Sequence, residues 1–181
     1  MASTATKTEQ LILYICSKMF NDPSFGAVKL NKVLYYVDHI SYLRNGKALS
    51  TFSYVKQVNG PIPAELMGVQ NALIKAQKLE IQIKELIVGT HKKKPIALVR
   101  PEVESFSAQE IQLIDEVIEM TWDYSGKGIS DFSHEALAWK VAKIGESLPM
   151  FTYLLTEADL CEADYIRAEK FIKRHKEKKA A

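Results

Sequence analysis

The stretch from Val28 to Arg44, VKLNKVLYYVDHISYLR, is the densest apolar segment of the chain and the one around which the rest has to pack. At 100° per residue, Leu30, Val33, Leu34, Val37 and Ile40 fall on one stripe with the i, i+3, i+4, i+7 spacing of a core-facing helix. Such a helix is roughly 25 Å long, enough to cross a small domain. Two further faces flank the stripe, with Lys29, Lys32, Tyr36 and His39 on one and Asn31, Tyr35, Asp38 and Tyr42 on the other. Tyrosines on the polar faces imply that other elements cover much of the circumference, which makes this a central helix. Gly46 is placed to end it in the left-handed conformation.

A chain of 181 residues fits one domain, and 47% hydrophobic with 25% charged residues is ordinary globular composition. Lys plus Arg number 24 against 22 Asp plus Glu, too even a balance to imply a polyanion-binding surface. The two cysteines, Cys16 and Cys161, form no CxxC pair, which argues against a disulfide framework or zinc site and fits a reducing interior. Cys16 reads as a packed thiol. The opening MASTATKTEQ has no signal-type character, and no apolar run approaches the roughly eighteen residues of a membrane span. The expectation is a cytoplasmic protein with no membrane contact.

Along the chain, Thr8 to Phe20 reads as a first helix stopped by Asn21, Asp22 and Pro23. TFSYVKQ is β-branched and aromatic, a short strand. Asn59, Gly60, Pro61, Ile62 and Pro63 then mark a rigid corner into a helix over about Ala64 to Lys78, whose free amides could alternatively serve an anion. Leu79, Ile81 and Ile83 alternate with polar residues and pair as a hairpin with Ile96 to Val99, with Lys92, Lys93 and Lys94 in a solvated tip. Ser107 and Glu110 form a capping box for a helix to about Tyr124, with Ile111, Ile114, Ile118 and Trp122 inward and Gly126 and Gly128 as its stop. Another helix is expected from Ser130 to Ala142, and a final one, about 157–179, ends in a lysine-rich tail whose cations suit the negative end of the helix dipole. The expected fold is α+β, a mostly helical single domain over 1–181 with a small antiparallel sheet of about three strands beside the central helix.

Chemistry is sparse. His134 and Glu135 begin an HExxH-like run, but Ala138 stands where the second zinc ligand belongs. Asp38 and His39 are adjacent on a helix and point about 100° apart. There is no GxSxG motif, and neither cysteine has a histidine near it in sequence. These residues indicate no catalytic site, no metal and no cofactor.

The run KLNKVLYYVDHISYLRNGKALSTFSYVKQVNGPIP, Lys29 to Pro63, resembles the signature region of the Panacea domain, or SocA-like antitoxin family: a KLxKLLYY helix, a glycine, an aromatic strand and a Gly-Pro turn. SHEALAW, Ser133 to Trp139, is similar to that family's downstream His, acidic residue and Trp. Val33 replaces the usual Leu. The resemblance implies a non-enzymatic antitoxin of a bacterial or prophage toxin–antitoxin pair, neutralising the protein toxin of a neighbouring gene by direct binding. It also leaves open an adaptor delivering the toxin to a AAA+ protease. A DNA-binding autoregulator rests only on the lysine clusters. Partner contact is expected on the Lys29, Lys32, Tyr36 and His39 face and on the Tyr54 to Pro63 corner, at Tyr54, Asn59, Gly60 and Pro61 above all. The tyrosines could instead be covered by the protein's own helices. His134, Glu135 and Trp139 mark the family and are expected to be structural.

Overall fold

The computed structural model describes residues 6–87 and 90–154, together with Ile166. Helix α1, Lys7–Lys18, starts from a capping box in which Thr6 and Glu9 satisfy each other's backbone amides. Helix α2, Ala27–Asn45, is the expected central helix, and Gly46 ends it at φ 70° with its N–H donating to Tyr42 O at 2.8 Å. Its stripe of Leu30, Val33, Leu34 and Val37 is fully buried. Helix α4, Ala108–Thr121, begins at the expected Ser107–Glu110 box and lies against α2, adding Leu113, Ile114 and Val117 to the same core.

The remaining elements are strands β1, Tyr54–Gln57, and β2, Gly60–Pro63, then helix α3, Leu66–Lys75, and strands β3, Leu79–Ile87, and β4, Thr90–Ala97. Helices α5, Gly126–Ser133, and α6, Leu137–Val141, follow α4. Among the described residues the strands make two separate antiparallel pairs, β1–β2 and β3–β4, rather than one sheet of about three. Pro61 and Pro63 carry no N–H, so β2 is poorly suited to recruit a further strand.

Several local expectations change for physical reasons. The Asn59–Pro63 segment is no strand-to-helix corner: Gln57 pairs with Gly60 around a tight hairpin, and α3 starts only at Leu66. Lys92 to Lys94 do not form a solvated tip but belong to β4. Lys92 Nζ donates to Pro23 O at 2.6 Å and Lys94 Nζ to Phe20 O at 2.7 Å, tying the hairpin to the α1–α2 loop. Trp122 is substantially exposed, because Val117 and Thr121 fix the buried edge of α4 and the next residue rotates past it. Gly126 and Gly128 open α5 under the Ser125 cap instead of closing α4. The expected helix from Ser130 to Ala142 breaks at His134 to Ala136, where Ser133 Oγ bonds back to Ser130 O and Ala136 is extended. The expected C-terminal basic helix falls outside the described residues.

Candidate functional site

The inner faces of α2 carry three charged side chains, all buried. Lys29 Nζ meets Asp22 Oδ2 at 2.6 Å, Trp122 O at 2.6 Å, Ser24 Oγ at 2.8 Å and Tyr124 O at 2.9 Å, joining the α1–α2 loop to the end of α4. Burial acts to raise the Asp22 pKa, but the Lys29 ammonium and two bonds from Ser24 outweigh it and hold it below the ordinary carboxylate value. Asp38 accepts from Leu49 N at 2.9 Å, Ser50 N at 2.8 Å, Ser50 Oγ and Tyr54 Oη at 2.7 Å, so it organises the chain leaving α2. Burial raises its pKa against those bonds. Tyr35 is enclosed by aromatic neighbours, with ring centroids 5.2 Å from Tyr36, 5.4 Å from Tyr54 and 5.8 Å from His39. Burial lowers His39 to about 4.

Lys32 differs from the other two charges. It is 1% exposed, and its ammonium donates to Pro61 O at 2.9 Å. No carboxylate lies in ion-pair range among the described residues, and burial lowers its pKa to about 8. Gly60 packs directly on its stem: a methyl added there would meet Ser133 Oγ and come within 2.6 Å of Lys32 Cε. Lys32 is one of the residues lining an open pocket of about 280 Å³, together with Val28, Asn31, Gln57, Val58, Asn59 and Ile62. Val58 is 70% exposed at the mouth. A second, more apolar groove of about 610 Å³ shares Asn31 and Ile62 with this pocket and reaches the exposed Met67 and Ile83.

Of the residues singled out by the sequence, the structure gathers Lys32, Asn59, Gly60 and Pro61 at this one place. Lys29, Tyr36 and Tyr54 are interior, so the face expected to be open is closed by α4, α5 and the β1–β2 hairpin. His39 is half-buried against Tyr35. His134 and Trp139 stack with centroids 3.8 Å apart, and Lys56 Nζ lies 4.0 Å above the indole while donating to Trp139 O and Ala142 O. Burial, followed by the positive charges of Lys32 and Lys56, outweighs Asp131 and Glu135 and lowers the His134 pKa. Glu135 is exposed and pairs with Lys140 at 3.1 Å. Gln57, Val58 and Ile62 belong to the expected Tyr54 to Pro63 corner, whereas Val28 and Asn31 lie outside the expected patch. Their one sequence signal is the Asn-Gly turn, which swings the hairpin tip onto the first half of α2.

No helix among the described residues is long and apolar enough to cross a membrane. Neither the curated proteins nor the solved structures yield a significant match to the chain. Residues 30–140 match the family described as antitoxin SocA-like, Panacea domain, a range that begins in α2 and ends in α6 and takes in Lys32, the hairpin, His134 and Trp139. The chain belongs to that Panacea family of SocA-like antitoxin domains.

Proposed function

We propose that this protein is the antitoxin of a toxin–antitoxin pair and neutralises a cognate protein toxin by binding it, without catalysis. The observation that carries this reading is the family match, whose span includes every wall of the Lys32 pocket except Val28. The contact surface in this reading is the tip of the β1–β2 hairpin with the adjoining groove. There Val58, Met67 and Ile83 are 70%, 74% and 66% exposed beside the carboxamides of Asn31 and Asn59. Apolar side chains ringed by polar ones suit a protein partner. Lys92 and Lys94 are committed to backbone carbonyls, which leaves little of the lysine cluster for a DNA-binding reading.

The test is co-expression with the product of each neighbouring reading frame. One frame should arrest growth alone, grow normally with this chain, and co-purify with it as a complex. If no adjacent product is toxic, or rescue occurs without a complex, direct neutralisation is wrong.

A further inference from the structure

Two lysines stand three residues apart on α2, both buried, and among the described residues only one has a counter-charge. Lys29 has Asp22 and three further oxygens around it. Among the described residues Lys32 has one neutral carbonyl as acceptor, although an ammonium offers three donors. Burying a charge without a counter-charge is strongly unfavourable, so a buried cation in the lining of an open pocket suits that pocket to an anionic group.

We propose that this pocket receives the carboxylate of a Glu or Asp side chain projecting from the protein partner, which pairs with Lys32. The identity of the partner as a protein toxin rests on the reading above; the carboxylate specificity rests on the pocket. Asn31, Gln57 and Asn59 line the same space and carry amide N–H donors suited to a carboxylate's remaining lone pairs. Val28 and Val58 flank the mouth at 40% and 70% exposure, apolar surface that a free small anion would leave bare and a protein would cover. The lining holds one cation, whereas nucleic-acid backbones are met by clusters of Lys and Arg. With its pKa lowered to about 8, Lys32 is still mostly protonated at neutral pH and able to pair.

The probe is the peptide acetyl-Leu-Glu-Leu-amide, titrated into the full-length protein and followed by amide NMR shifts. Saturable shifts are expected at Lys32, Val58 and Asn59, with affinity at least tenfold weaker for acetyl-Leu-Gln-Leu-amide. Lys32→Met should abolish the response. Because that substitution is in the interior, Val58→Asp serves as a second variant: it alters only an exposed side chain and should weaken the acidic peptide about tenfold by like-charge repulsion. Equal affinity for the Glu and Gln peptides, or an unchanged response in Val58→Asp, overturns the proposal. So does binding of a terminal carboxylate, as acetyl-Leu-Gly, with no response to the Glu side chain. Toxin neutralisation is scored separately, so loss of peptide selectivity with neutralisation intact removes the acid-binding pocket and leaves the antitoxin reading standing.

Discussion

Lys29 and Lys32 illustrate two uses of a buried ammonium. Removing Lys29 strands Asp22 and the carbonyls of Trp122 and Tyr124, so Lys29→Met is expected to cost about 3–5 kcal/mol in urea denaturation. A loss below about 1 kcal/mol would mean that water replaces the ammonium. Lys32 has a different signature, in pH. Its folded pKa of about 8 lies below the roughly 10.4 of an unfolded lysine, so between these values the unfolded chain holds a proton that the folded chain has released. Lys32 should therefore add stability to the free protein as pH rises from 8 to 10, by at most about 1.4 kcal/mol per pH unit, while burial of the Cys16 thiol, which raises its pKa, acts in the opposite direction. His134, the histidine on which Lys32 acts, is neutral throughout that window, and Lys56, which also acts on it, is common to wild type and variant. Measured against wild type, Lys32→Met should lose that upward contribution; an identical pH dependence in the two proteins would assign it to other groups. Gly60 sits against the stem of Lys32 and is constrained by it. At φ 93°, with Lys32 and Ser133 where a side chain would go, Gly60→Ala is expected to destabilise by about 2–4 kcal/mol. A thermal melt within the error of wild type would contradict that packing.

At the scale of elements, α2 is where local pattern and final structure agree most closely. Its periodicity, its Gly46 end and the Ser107–Glu110 start of α4 are all local chemistry, and they appear where spacing puts them. Leu34→Ala, a truncation at full burial, should cost about 3 kcal/mol by the same denaturation assay. What spacing did not convey is which polar residues point inward. The fate of Lys29 was decided by carbonyls more than ninety residues away at Trp122 and Tyr124, and that of Lys32 by the carbonyl of Pro61. By local pattern the prolines after Gly60 suit a helix start, whereas pairing with Tyr54–Gln57 makes them a strand. The same long-range packing hid the pocket: Asn31, Gln57, Val58 and Asn59 become neighbours only when the hairpin folds onto α2.

At the scale of the molecule, a buried scaffold holds up the small, open region proposed as the contact surface. The core formed by α1, α2 and α4 fixes the β1–β2 hairpin from below, through Lys32 to Pro61 and through the Asp38 bonds to Ser50 and Tyr54. Substitutions at the exposed rim should then separate binding from folding. Val58→Asp changes a largely exposed side chain and should leave stability within about 0.5 kcal/mol of wild type. The direct measurement is a titration of purified toxin activity with the full-length protein, wild type against Val58→Asp. Stoichiometric loss of activity with wild type, and at least a tenfold higher concentration needed with the equally stable variant, is the expected result. Identical titration curves for the two proteins would place the toxin on another surface and contradict the assignment of the hairpin and its pocket as the binding site.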